Sequence, residues 1–422
     1  MIPFPDVDSL LRPEVRCGMM TFPSSSTELV KVDFVFDAGY AYQRERLCAA
    51  AAAKLMSVAT RELGAQEVAE FLDHRGVVVD SSTSLCTSTL TVYMHRRYAA
   101  EVVPLLRGMV SEPAFAERDF EVWVADKRQE LATNGGRSSW VARNAWYEAL
   151  FGAEHPLGCH AEPADADRLE LPEVHDFFRK HYGAGPSQIV LSGKVDDGLL
   201  ELFRQHFSIF ATGGSPFSAS PFDKGWGPKV GGEGHLPPCR VELPIEGAQQ
   251  TTLRVGRVLP REGAAEDYAD LVVLAAILGG YFGSRLMGNL REEKGYTYGI
   301  GAHVQPYRCD RVLFITADVA AGTVDDAERE VMGELQRLAD EPVGVDELDM
   351  VRNVLAGDAM RALDGVFERS DRYTDILEAG GSDLFSNAFG RALQSATPGR
   401  LQALAARWLR PQDMTVCRAG VV

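Results

Sequence analysis

The sequence predicts an α+β protein made of two duplicated domains, each an antiparallel-rich sheet with helices packed on one face. Its 422 residues are too many for one average domain and suit two of roughly 200 residues each. Glycine, proline and serine are concentrated near the middle of the chain, and a similar order of strands and helices lies on either side. Hydrophobic residues at 45% and charged residues at 24% are typical of globular proteins with sizeable cores.

The middle segment predicts a linker. It is dense in glycine, which costs entropy when ordered, and in proline, which removes a backbone donor, so neither helix nor strand is expected there. We therefore predict an N-terminal domain over 1–212, a linker over 213–237 and a C-terminal domain over 238–422.

Hydrophobic periodicity places similar elements in both domains. In the first domain it predicts strands over 30–37, through 77–94 and over 188–191, with helices over 46–63, 65–75, 98–110 and 117–132. In the second it predicts strands over 249–258, 296–305 and 312–319, with helices over 267–278, 324–340 and 345–364 and a short helix ending at 293. This repetition indicates a duplication.

Charge and cysteine usage narrow the class of protein. A net charge of −17 argues against nucleic acid or an anionic membrane as a partner, because both attract lysine and arginine clusters. The acidity would suit basic peptides, but solubility is the simpler explanation. Seven scattered cysteines without a CxxC pair predict reduced thiols. With no signal peptide at the start and no apolar run long enough for a bilayer, we expect a cytoplasmic protein.

The histidines argue against a metal site. None of the nine forms an HExxH or HxxEH pair, the spacing that sets two imidazoles on one helix face. His155 and His160 form a compact cluster, but proline and glycine place it in a turn, and a loop with solvated histidines is favoured over a metal site. His175 and His181, six residues apart on a helical stretch, are predicted to be structural. No GxSxG elbow or phosphate-binding loop occurs either.

Two residues are candidates for a functional pair. Arg291 lies on the last turn of a predicted helix, and Tyr298 starts the next strand. A guanidinium is a rigid fork of donors and a phenol carries one donor on a stiff ring, so both side chains could converge on a peptide carbonyl that becomes an oxyanion. The alternative is an arginine favoured by the helix dipole and a tyrosine filling a β position. Gly279, Gly280 and Gly283 are expected to allow close packing rather than ligand approach.

The stretch around this pair resembles the second domain of the pitrilysin/insulinase family of zinc peptidases. The family pattern is close to GG-x-x-x-SRL-x-x-x-LREEKGL-x-Y. The matching residues here are Gly279-Gly280, Ser284-Arg285-Leu286, Leu290-Arg291-Glu292-Glu293-Lys294-Gly295 and Tyr298, with Tyr296 where leucine is usual. Weaker likenesses extend over nearly the whole chain, at Asp37-Ala38-Gly39, His155-Pro156-Leu157-Gly158 and Leu191-Ser192-Gly193-Lys194-Val195-Asp196.

The resemblance breaks down at the zinc motif. The family's HxxEH would fall in the helix after Gly39, where this chain has five alanines from Ala49 to Ala53 and then Lys54. Glu130 stands near the place of the family's third ligand. Because one carboxylate cannot hold zinc, we interpret Glu130 as a helix-surface residue and expect no metal in this chain.

The resemblance implies a non-catalytic subunit of a heterodimeric zinc endopeptidase. Its partner would be a homologous subunit that carries HxxEH and zinc, and the two would close like a clamshell over unfolded peptides. Arg291 and Tyr298 would then bind the substrate carbonyl and stabilise the tetrahedral intermediate. Two alternatives stay open: a structural or scaffold protein derived from such peptidases without a catalytic role, and an independent enzyme or peptide-binding module.

Overall fold

A computed structural model describes residues 2–207, 235–259, 265–308, 310–379 and 386–421. Most of the predicted linker, residues 213–234, lies outside the described residues, so the domain boundaries stay a prediction. Below, the first half denotes residues 2–207 and the second half residues 235–421.

The strands form two mixed sheets, one in each half. Those of the first half are β1 Glu14–Arg16, β2 Met19–Pro23, β3 Leu29–Phe36, β4 Val78–Thr83, β5 Ser88–His95 and β6 Gln188–Gly193. Those of the second half are β7 Arg240–Pro244, β8 Gln250–Leu259, β9 Thr297–Pro306, β10 Arg311–Ala320 and β11 Thr415–Gly420.

The topologies of the two sheets match strand for strand. The first sheet has the order β1-β2-β6-β3-β5-β4 and the second β7-β11-β8-β10-β9. In each, one parallel pair (β2 with β6, β7 with β11) precedes three antiparallel pairs. Among the strands of the described residues, β1 at the edge of the first sheet is the one without a counterpart. The predicted duplication requires that five strands have the same order and direction in both sheets, as they do. The repeat is thus visible in the topology although the two halves share little sequence similarity.

Helices surround both sheets. In the first half they are α1 Val7–Leu10, α2 Cys48–Leu55, α3 Ala65–Asp73, α4 Ala99–Ser111, α5 Glu117–Gly135, α6 Ser138–Phe151, α7 Pro163–Arg168, α8 Leu171–His181 and α9 Asp197–Phe207. In the second half they are α10 Ala265–Ala275, α11 Val324–Asp340, α12 Val345–Arg361, α13 Val366–Ala379, α14 Asn387–Ser395 and α15 Pro398–Trp408. Two π-helical segments, Ala276–Gly280 and Met287–Glu293, follow α10.

Each half has its own hydrophobic core between the sheet and its helices. In β3, every residue after the first is buried, because this central strand is covered on both faces. Strand β5 alternates strictly between buried and half-buried residues, as a strand with one core-facing side should. The α+β prediction is confirmed.

The outer face of each sheet is covered by a helix from the other half. Helix α6 crosses to the second sheet, where Trp146 is fully buried and its indole N–H donates to the carbonyl of Thr415 at 3.0 Å. Helix α13 crosses to the first sheet, where Ser370 lies 3.1 Å from Ser192 and Tyr373 packs edge-on against Phe22. A further apolar cluster around Trp146 joins both halves. The described halves are therefore interlocked, a feature that the sequence does not indicate.

Most predicted elements agree with the structure within a few residues, but the helix predicted over 46–63 is wrong in length. Helix α2 ends at Leu55, and the chain then turns. The hydroxyl of Ser57 donates to the carbonyl of Lys54 at 2.9 Å, and Thr60 forms a β-bridge with Pro113. Local side-chain bonds of this kind compete with the helical pattern.

Candidate functional site

The candidate site begins where the second π-helical segment approaches strand β9. Gly279, in the first π-helical segment, allows a close approach: a Cβ there would lie 2.7 Å from the backbone nitrogen of Ala302. The expectation that this glycine serves packing rather than ligand approach fits that distance. It also explains how the helical segment and β9 come to share one surface.

Arg291 lies on the second π-helical segment, with its side chain 38% exposed. Its guanidinium carbon is 4.8 Å from the centre of the Phe282 ring, and its Nε is 3.5 Å from a carboxylate oxygen of Glu292. Both contacts are with exposed groups, so they orient the guanidinium without neutralising its charge. The chemistry of this arginine is therefore available to a ligand.

Tyr298 is turned outward by a β-bulge. Thr297 pairs with Val319 and Ile300 pairs with Ala317, so Tyr298 and Gly299 together face a single residue of β10. The hydroxyl of Thr297 fixes this bulge: it accepts the N–H of Gly299 at 3.1 Å and lies 2.7 Å from the carbonyl oxygen of Asp318. Bulges re-aim side chains next to functional sites. Here the phenol is 89% exposed, and among the described residues no group hydrogen-bonds to it.

The structure therefore brings Arg291 and Tyr298 to the surface on adjoining elements, without a direct contact between them. Sequence reasoning missed Phe282, which is 64% exposed and packs against Arg291. Its only signal was an aromatic residue among three glycines. Aromatic residues are enriched at protein interfaces relative to the rest of the surface.

The other residues of the motif hold the scaffold together. Arg285 makes two hydrogen bonds of 2.8 Å to the carboxylate of Glu347 on α12. Leu290 is fully buried, and Asn289 donates to Glu330 on α11 at 2.9 Å. These contacts fix the π-helical segment against two helices, which positions Arg291.

Helix α2, where the family's zinc motif would fall, borders a cleft of 410 Å³. Ala50 lines this cleft together with Gln43, Arg46 and Glu130. Glu130 accepts a hydrogen bond from Lys127 at 2.8 Å and is a half-exposed helix residue, consistent with our interpretation of it. Cys159 and His160 also line the cleft, but Arg46 donates to the sulfur of Cys159 at 3.1 Å. With its carboxylate paired to an ammonium and its thiol beside a guanidinium, this donor set does not fit zinc. Across the described residues, no three histidine, cysteine or acidic side chains are grouped as a metal would require.

The interpretation of His155 as a solvated loop residue is wrong. Its ring is 3% exposed and stacks on Phe151 at 4.8 Å. Its Nδ1 accepts the backbone N–H of Leu157 at 3.1 Å, which orders the turn. Burial lowers the pKa of His155 to about 4, so the ring is neutral at physiological pH. A proline–glycine turn gave no sign that an apolar segment would cover it.

His175 and His181, predicted to be structural, both lie on α8 and contact aromatic rings. His175 is 5.1 Å from the ring of Phe115, and His181 is 4.5 Å from the ring of Phe177. Burial lowers the pKa of His181 below its ordinary value. Both contacts support the structural role expected of them.

None of the helices in the described ranges is both long and apolar enough to cross a membrane. The six described cysteines are free thiols.

Comparison with known proteins confirms the relationship that the Arg291–Tyr298 motif indicates. Residues 168–355 match the family model described as Peptidase M16 inactive domain. An uncharacterized zinc protease of Mycobacterium bovis is 26% identical over 274 residues, which is 64% of this chain and 60% of that protein. The non-peptidase homolog YmxG of Helicobacter pylori is 22% identical over 252 residues, 59% of this chain and 55% of that protein. The matches thus span less than two thirds of the length of these relatives.

Solved structures show the same fold. A protease from Helicobacter pylori has a TM-score of 0.83 at 16% identity, covering 97% of this chain and 99% of that one. A peptidase M16 inactive domain from Pseudomonas fluorescens has a TM-score of 0.77 at 17% identity, covering 97% of both chains. The chain thus has the fold of these M16-type structures, and its residues 168–355 resemble the M16 inactive domain.

Proposed function

We propose, from this M16 relationship, that the chain is the metal-free subunit of a two-subunit zinc peptidase, lending Arg291 and Tyr298 to a partner's active site. The observation that carries the proposal is the bulge at Tyr298. It holds a phenol 89% exposed at the start of a strand whose neighbours Thr297 and Ile300 are buried. An exposed tyrosine without a partner in its own chain suits a group that acts on another molecule.

The proposed chemistry is hydrogen bonding to a peptide carbonyl. A cationic fork from Arg291 and a neutral donor from Tyr298 suit an oxygen that gains negative charge when the bond is attacked. Removing one such donor typically lowers turnover about 10²–10³-fold. The exposed ring of Phe282 beside Arg291 would shield the bound peptide from water, which strengthens both hydrogen bonds.

The partner in this proposal is a homologous M16 subunit that carries HxxEH, zinc and the attacking water. The division of labour follows from the donor set around Ala50, which does not fit zinc. Unfolded peptides are the proposed substrates, because an extended backbone presents the carbonyl that the pair would bind. We also propose a cytoplasmic location.

A scaffold role without catalysis is the second candidate. The Helicobacter relative is named a non-peptidase homolog, which favours such a role for at least one similar protein. In that case Tyr298 and Arg291 would be vestigial, and substituting them would leave any partner's activity unchanged.

The test is reconstitution with an HxxEH-bearing M16 subunit from the same genome, assayed on an internally quenched peptide. We expect no cleavage by this chain alone and cleavage by the mixture. Tyr298→Phe and Arg291→Met should each lower kcat by about 10²-fold while the zinc content of the complex stays the same. Tyr296→Phe removes the phenol of a neighbouring residue and Arg329→Met an exposed guanidinium on α11, and both should have little effect.

Two results would contradict the proposal. Full activity of both site variants would favour the scaffold role. Loss of zinc from the complex in either variant would mean that the pair holds the assembly together rather than the peptide carbonyl.

A further inference from the structure

A cleft of 480 Å³ lies between α6 and the second sheet, next to the candidate site. Helix α6 supplies Trp140 and Arg143 to its wall, and Arg137 at the N-cap of α6 adds a third side chain. The sheet supplies Arg254 and Gly299. Gly299 is bonded to Tyr298 in the bulge. The cleft therefore opens beside the residues proposed to hold the scissile peptide bond.

Arg254 on β8 is a buried arginine for which the described part of the chain provides no polar partner. It is 8% exposed, it makes no hydrogen bond or ion pair with any described residue, and its buried Nε is unsatisfied. Its guanidinium carbon lies 4.4 Å from the ring centre of Phe314, 4.8 Å from that of Trp146 and 5.5 Å from that of Tyr147. The rings offset part of the cost of burying the charge. They do not satisfy the N–H donors, which lie in the guanidinium plane.

Another buried arginine shows the usual arrangement. Arg418 is 5% exposed, but it donates to Glu328 at 2.8 Å and to Asp325 at 2.6 Å. An uncompensated buried charge costs several kcal/mol, and an unsatisfied buried group in a native protein calls for an explanation. For Arg254, an anion entering the cleft would supply the missing acceptor.

The rest of the cleft favours an anion as well. Helix α6 begins at Ser138, and its N-cap, Arg137, provides no side-chain hydrogen bond. The N–H of Trp140 donates to the carbonyl of Arg137, which leaves the first two N–H groups of the helix and the positive end of its dipole for a ligand. Arg143 is stacked over Trp140 at 4.5 Å and forms no ion pair with a described residue. The acidic residue in the lining is Asp318, which accepts a hydrogen bond from Thr252. The cleft is thus locally basic in a chain of net charge −17.

We propose that this cleft binds a carboxylate of the peptide held at Arg291 and Tyr298, with Arg254 as the principal charged donor. The identity of the ligand rests on the proposed function, whereas the anion site rests on the geometry of Arg254. Because Gly299 adjoins Tyr298, the carboxylate lies a short way along the peptide from the scissile bond. The preferred substrates are therefore acidic near the cleavage site or end close to it.

The test measures binding to this chain alone by calorimetry at millimolar peptide. The probes are acetyl-tetra-alanine with a free C-terminal carboxylate, the same peptide as its C-terminal amide, and the amide with one alanine replaced by aspartate. Wild type should bind at least one of the carboxylate peptides about tenfold or more tightly than the neutral amide. The carboxylate that binds better identifies its source, terminus or side chain.

Variants locate the site. Arg254→Met should abolish the preference for a carboxylate and should unfold at the same or a higher temperature, since it removes an unpaired buried charge. Arg143→Gln, at an exposed position, should weaken the preference severalfold. Arg204→Met, which removes an exposed arginine on α9, should change neither binding nor stability.

The inference fails if wild type binds the neutral amide as well as the carboxylates, binds none of the peptides, or keeps its preference in Arg254→Met. Preference for inorganic phosphate without competition by the peptides would also overturn it. These measurements need no partner subunit, so their outcome is independent of the reconstitution assay. An anion site can be present when reconstitution fails, and reconstitution can succeed when the site is absent.

Discussion

Replacing Lys31 should be among the most destabilising single changes in the first half. Lys31 on β3 is 1% exposed and donates to Asp33 at 2.7 Å, to Ser370 at 3.3 Å and to Asp371. The last two residues belong to α13, so this ammonium joins the first sheet to the helix contributed by the second half. Burial by itself lowers the pKa of Lys31, but Asp33 and Asp371 outweigh it, so the net pKa is raised and the group stays charged.

The magnitude follows from what Lys31→Met leaves behind. Asp33 would remain 1% exposed, with the hydroxyl of Thr91 at 2.7 Å as its remaining side-chain donor. Removing one partner of a buried ion pair typically costs about 3–5 kcal/mol. By contrast, Lys194→Met removes a pair with Glu28 whose side chains are 34% and 60% exposed, and such surface pairs contribute about 0–1 kcal/mol.

The assay is urea unfolding followed by circular dichroism, at neutral and at acid pH. Burial raises the pKa of Asp33 even in the presence of Lys31, and the loss of the ammonium raises it further. A raised carboxyl pKa means that the variant is penalised above the unfolded value near 3.8 and regains stability as Asp33 takes up a proton. The free-energy difference between wild type and variant should therefore shrink as the pH falls from 7 toward 4.

A free-energy difference between wild type and Lys31→Met below about 1 kcal/mol at pH 7 would contradict a stabilising role of the buried ion pair. A difference that does not change with pH would also contradict it. Equal effects of Lys31→Met and Lys194→Met would also refute it, since burial would then not be the cause.

Two further predictions concern the site and its support. Gly279→Ala should destabilise the protein by about 1–3 kcal/mol, because the added Cβ would lie 2.7 Å from the backbone nitrogen of Ala302. The control is Gly288→Ala, whose Cβ would point into open space. Equal melting temperatures of the two variants would disprove the close approach. In an NMR titration, the imidazole signals of His155 should not shift until the pH approaches its pKa of about 4. The stability contributed by the buried neutral ring is therefore complete above pH 6.5 and is lost as the pH falls. Titration near 6.5, as for an exposed imidazole, would show that the ring is solvated.

Much of the candidate site was predictable because it depends on local chemistry. The motif around Arg291 predicted the pair, and the alanines of α2 predicted that this chain lacks metal ligands. The outward turn of Tyr298 was not predictable, since a bulge depends on which residue of β10 lies opposite. The contribution of Phe282 was missed for a similar reason, because exposure is a property of the folded surface.

The sequence by itself determined the order of strands and helices, the α+β class and the likeness to M16 peptidases, and it supplied the candidate pair. These follow from periodicity and from residue types that act over a few positions. Tertiary structure alone decided that α6 and α13 each cover the sheet of the other half and that His155 is buried. It also decided that Arg254 lies beside the candidate site with no polar partner among the described residues. Each of these depends on which distant segments pack together, and burial and the presence of a partner are set by that packing rather than by neighbours along the chain.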